Sequence, residues 1–118
     1  MRTDRQGKPI LFGGSPRDLF LYIQESHLAE AQQLLAQPLS GLAEVHRTQD
    51  LIDQGFFGQQ PPSPHLLERL GNLVVLSYAG ESVIWHVKDK FEQRFHGHHG
   101  GLTPEEMLIP FIAYPLAE

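Results

Sequence analysis

His96-Gly97-His98-His99-Gly100-Gly101 places three imidazoles and three glycines in six consecutive residues, just ahead of a helix-start signal at Thr103. Neutral imidazole nitrogen is a good donor to zinc and similar ions, and glycine lets a backbone come close to an ion or a phosphate. The chemistry open to such a loop is metal ligation. Two considerations restrain that reading. Adjacent side chains such as His98 and His99 rarely aim at one ion, and a catalytic zinc needs about three protein ligands. The other imidazoles, His27, His46, His65 and His86, are scattered singly along the chain. A polar loop of solvated histidines therefore stays open as a second reading. Asp50, Asp53, Glu105 and Glu106 fall on helix first turns or exposed faces, where complementing the helix dipole accounts for them. No nucleophile is legible, because Gly13-Gly14-Ser15-Pro16 is neither a phosphate-binding loop followed by lysine nor a serine elbow. Phe56, Phe57 and Trp85 read as core.

The elements that must position this loop can be read from local pattern. Residues 1–16 are rich in Gly, Pro and charge and read as a lead-in loop. Asp18-Leu19-Phe20-Leu21-Tyr22-Ile23 suits a buried strand, and Ser26 is placed to cap a helix over 27–37 that Pro38 and Gly41 end. A brief strand over 42–46 leads to Thr48 as cap of a two-turn helix, with Gly55 where a left-handed residue closes it. The prolines of 58–64 make a loop. Residues 73–78 and 82–87 read as a hairpin around Ala79-Gly80-Glu81, and 88–94 as a charged stretch with at most one helical turn. Thr103-Pro104-Glu105-Glu106 is a capping box with proline at the first helical position; Pro110 stops the helix, and Phe111-Ile112-Ala113-Tyr114 reads as a last strand. The order strand, helix, strand, helix, hairpin, short helix, strand predicts an α+β or α/β fold, a small mixed β-sheet with covering helices.

Composition bounds the partners. A chain of 118 residues is one domain's worth, and 41% hydrophobic with 19% charged residues predicts a packed core. A net charge of -5 gives no electrostatic reason to bind nucleic acid. With no cysteine there is no disulfide, thiolate site or cysteine nucleophile, and no apolar run is long enough to span a membrane. The expected location is cytoplasmic.

The run Gly97-His98-His99-Gly100-Gly101-Leu102-Thr103-Pro104-Glu105-Glu106-Met107-Leu108-Ile109-Pro110 resembles the closing motif of type I phosphodiesterase/nucleotide pyrophosphatase-like proteins of the alkaline phosphatase superfamily, including the PglZ-type branch. Weaker echoes are Gly14-Ser15-Pro16-Arg17, Gln54-Gly55-Phe56-Phe57-Gly58 and Arg69-Leu70-Gly71-Asn72-Leu73-Val74-Val75. Asn72 stands where that pattern carries Asp. The resemblance implies the C-terminal segment of an alkaline phosphatase-like α/β fold, hydrolysing phosphate esters with divalent metal, zinc being the expected ion. It implies that His99 is one metal ligand, that His98 is a second-shell donor or exposed, and that Gly97, Gly100, Thr103 and Glu106 support the loop. The nucleophile and the other ligands would lie in an N-terminal core outside these residues, so the chain alone is expected to be inactive. The implied organisation is a lead-in loop at 1–16, a cap or insertion subdomain at 17–94 and the returning ligand loop, short helix and final strand at 95–118. The expected partners are that core and the parent's phosphate ester substrate, with an incidental homodimer through uncovered apolar surface. The alternative is a free-standing, non-catalytic binding or interaction module.

Overall fold

A computed structural model describes residues 1–10, 12–83 and 95–115. Four strands, β1 (Gly13–Gly14), β2 (Asp18–Leu21), β3 (Ala43–Arg47) and β4 (Leu73–Ser77), form one sheet in the order β1-β2-β4-β3. With the helices α1 (Leu28–Ala36), α2 (Thr48–Asp53), α3 (Pro64–Leu70) and α4 (Pro104–Met107), the architecture is α+β. Every pairing is antiparallel, so the sheet is not the mixed one expected. The reason lies in β4: it enters between β2 and β3 and runs against both, leaving those two strands parallel to each other but never adjacent. With α1 as the crossover, this is a split β-α-β unit.

Strand alternation divides the sheet into two faces. Leu19, Leu21, Leu73 and Val75, all at most 3% exposed, meet Leu28 and the partly buried Ala31 and Leu35 of α1. The opposite face carries the cross-strand rows Asp18, Leu76, Glu44 and Phe20, Val74, His46. Val74 is fully buried there too, so β4 reads as continuously apolar because both of its faces are covered.

Several expectations are corrected by these contacts. Both hydrogen-bonding edges of β4 are taken by β2 and β3, which leaves neither for the hairpin partner expected over 82–87. The chain does turn, with Glu81 N–H donating to Tyr78 O (3.0 Å), but Val83 N–H then goes to Pro16 O (2.8 Å). Residues 84–87, with Trp85 and His86, and the charged stretch 88–94 lie outside the described residues. Gly13-Gly14 in the lead-in is a short strand on β2, and Arg2 N–H bonds Tyr22 O (2.6 Å). Ser26 sits inside a 3-10 turn (Glu25–His27) and caps nothing; α1 starts at Leu28 without a side-chain cap. Thr48 is the first residue of α2, and its hydroxyl is spent on Leu70 O (3.4 Å). Residues 111–114 pair with none of the described strands.

Local rules hold elsewhere. Gly55 (φ 83°) closes α2, its N–H on Ile52 O (2.9 Å) and that of Phe56 on Leu51 O (3.1 Å), the paired bonds of a Schellman motif. α3 was not expected, yet Ser63 Oγ accepts from Leu66 N–H (3.2 Å) and Pro64 opens the first turn. Asn72 then clips β4 to the end of β2: its side-chain oxygen accepts from Ile23 N–H (2.9 Å) and its amide donates to Ile23 O (2.8 Å). Among the described residues no helix is long and apolar enough to cross a membrane.

Candidate functional site

The histidine loop is fastened to the head of β2 by Ser15 and Arg17, with Asp18, which opens that strand, holding Ser15. Arg17 is 6% exposed, and its guanidinium forks onto Glu106, Nε to Oε1 at 2.8 Å and Nη2 to Oε2 at 2.7 Å. Its remaining nitrogen, Nη1, donates to the carbonyls of Tyr78 and Glu81. Bidentate geometry with the rest of the cation satisfied is what a buried arginine requires.

Glu106 is thereby more than a capping residue. Besides Arg17 it accepts from Gly101 N–H (3.1 Å), Thr103 N–H (3.3 Å) and Thr103 Oγ1 (2.9 Å). The Arg17 hydrogen bonds, with Thr103 and Gly101 behind them, hold its carboxyl well below the usual carboxylate range despite burial. Glu106 also raises Arg17 further above its ordinary value, so the two partners agree in direction.

A second fastening lies one turn of the loop away. Ser15 Oγ reaches His99 O at 2.7 Å and also contacts Asp18 Oδ1, which takes Ser15 N–H at 3.0 Å. Burial pushes the Asp18 carboxyl up, while the Ser15 hydrogen bonds and the proximity of His99 pull the other way. The glycines are required by this closeness. A Cβ at Gly100 (φ 116°) would lie 2.7 Å from Asp18 Oδ1, and one at Gly101 would lie 2.5 Å from Glu106 Oε2.

The loop separates two cavities. His99, exposed to solvent, lines a groove of about 650 Å³ together with Asp18 and Glu105, over an apolar wall that includes Phe20, Phe56, Phe57 and Leu76. His98 lines the other cavity, of about 500 Å³, with His96, Arg17 and Glu81, and its ring meets Phe95 edge-on at 6.4 Å. The two neighbouring imidazoles thus face different spaces. Gly97 is exposed, with open space where a Cβ would stand. Among the described residues no group of three or more His, Cys, Asp or Glu is arranged to hold a metal ion. His99 alone is short of the about three donors a catalytic zinc takes. His27 pairs with Glu30 (3.3 Å) and His46 with Glu44 (2.8 Å), both at the surface.

Sequence reasoning treated Arg17 only as part of an echo and missed Ser15 as a fastening and Asp18 as its support. The available signal was an Arg-Asp pair placed directly before a buried apolar run. Phe56, expected in the core, is 52% exposed and lines the groove. Comparison with protein-family models, curated proteins and solved structures found no match to this chain.

Proposed function

We propose that this chain is the C-terminal portion of a metal-dependent phosphoric ester hydrolase of the alkaline phosphatase superfamily, with His99 supplying one ligand to a site completed by a catalytic core. The observation that supports this reading is the double fastening of the loop: Ser15 fixes the His99 carbonyl and the Arg17–Glu106 pair fixes Gly101. The exposed imidazole of His99 is left at a groove. Such anchoring is what delivering a single donor to a second body demands, since a ligand must be held to within about 0.5 Å. A bound divalent ion, zinc by the donor's chemistry, would supply charge stabilisation for phosphoryl transfer.

The test is hydrolysis of bis(p-nitrophenyl) phosphate by the protein expressed from the complete reading frame, in the presence of zinc. His99→Ala is expected to reduce turnover by at least about 100-fold. The 118 residues alone are expected to give no turnover with any divalent metal. Complete-frame activity indifferent to His99, or turnover by the isolated chain that His99→Ala abolishes, overturns the proposal.

A second reading, a binding module without catalysis, is favoured by the apolar-walled groove that His99 lines. Absence of turnover from the complete-frame protein on both monoester and diester substrates would decide for it.

A further inference from the structure

Among the described residues nothing covers the apolar segment that follows α4. Leu108, Ile109, Phe111, Ile112 and Tyr114 are 77%, 80%, 88%, 90% and 84% exposed, and residues 107–117 carry no charge. A contiguous apolar stretch of this size marks an interaction surface. Its backbone is preset for extension: Leu108 is at φ -81° and ψ 128°, and Pro110 and Pro115 bias Ile109 and Tyr114 the same way.

We infer that two copies of this chain exchange these segments, each laying residues 108–114 into the other's groove beside His99. The groove offers matching chemistry, walled by Phe20, Phe56, Phe57 and Leu76, with Phe56 half exposed. Its volume of about 650 Å³ is of the size that seats a small ligand (about 300–1,000 Å³), enough for one face of the strand. Among the described residues of one chain, groove and segment do not meet, for the groove's lining ends at Met107. The segment departs from Met107 at the groove's own rim, and turning back would need a reversal at Ile109, which Pro110 keeps extended. Strand addition at the outer edge of β3 is impeded, because Gln32 Nε2 already occupies Val45 O (3.2 Å).

The area is sufficient. Leu108, Ile112 and Tyr114 share one face of the extended strand. Tyr114 covers about 150–250 Å² and the two aliphatic side chains together about as much again, so two copies contribute roughly 600–1,000 Å². The walls they cover add a comparable amount, which reaches the about 1,600 Å² of a stable interface. The dimer is that of the 118-residue chain by itself, since the catalytic core of the hydrolase reading would compete for the same groove, and turnover plays no part in its test.

Sedimentation equilibrium of the whole chain is expected to show a dimer. Ile112→Glu/Tyr114→Glu, on the face that enters the groove and at positions too exposed to disturb folding, is expected to raise the dissociation constant at least about 100-fold, roughly tenfold or more per side chain. The chain has no cysteine, so mixing a Phe56→Cys chain with an Ile112→Cys chain should give a disulfide between the two variants. A wild type that stays monomeric at about 100 μM, or a dimer indifferent to the double substitution, overturns the inference. A dimer that forms no mixed disulfide overturns the groove as the seat.

Discussion

Replacing Glu106 by Gln tests the idea that an ion pair holds the histidine loop to the sheet. The side chain keeps its shape, but Arg17, whose side chain is 7% exposed, loses its counter-charge. One of the two Gln termini must also present N–H donors to a site where Arg17, Gly101 and Thr103 all donate. Removing one partner of a buried pair costs roughly 3–5 kcal/mol. A domain of this size has on the order of 6–18 kcal/mol in total, so about a third of its stability is at stake. Urea unfolding followed by circular dichroism should show a lower midpoint with unchanged slope. The pH dependence sharpens the test. Glu106 is held below its ordinary value of 4.5, so its contribution is complete above about that pH and is lost as pH falls toward the depressed folded value. Wild type should therefore lose stability on acidification below about 4.5, and the variant should lack that part of the slope. A midpoint shift equivalent to less than about 1 kcal/mol at neutral pH would refute the reasoning, since it would mean the pair is a surface one.

Two further substitutions probe the same construction. Asn72→Asp keeps the acceptor for Ile23 N–H but replaces the donor to Ile23 O by a negative oxygen, at a cost of about 1–3 kcal/mol. Thermal unfolding compared with wild type should show the deficit shrinking at acidic pH, where a protonated carboxyl can donate again; a pH-independent deficit would contradict this. Gly101→Ala drives a Cβ into the locked Glu106 carboxylate and the Arg17 guanidinium, and over-packing of this kind costs about 1–3 kcal/mol. Combined with Glu106→Gln it should cost less than the sum of the two, and strict additivity in a double-mutant cycle would argue against a shared fastening.

What the sequence made legible is what neighbouring residues decide. The end of α2 at Gly55 and the capped start of α4 follow from a few adjacent residues, β2 and β4 are marked by their apolar runs, and the brief strand expected over 42–46 is β3. α3 carried the same Ser-Pro start signal at Ser63-Pro64 that Thr103-Pro104 gave for α4, but three nearby prolines favoured a loop. What stayed hidden was partnership at a distance. An apolar run at β4 does not say whether one edge or both will be occupied, and a hairpin was the shorter assumption. Phe111 and its neighbours announce burial without naming a cover. Arg17 becomes structural only because Glu106, 89 positions later, comes back to it. Asn72 looked like a lost carboxylate; its place against both the N–H and the C=O of Ile23 shows a position that needs a donor and an acceptor at once.

The strand order bears on how the molecule is made. Because β4 lies between β2 and β3, and is translated after both, neither earlier strand can complete its pairing while the chain is still emerging. Until Leu73–Ser77 clears the ribosome, α1 and the apolar rows of β2 and β3 have no central strand to close on. Such delayed, long-range zippering slows folding relative to a simple meander. It also leaves Leu19 and Leu21 without their eventual neighbours during synthesis, an interval in which holding by a chaperone would do the most good.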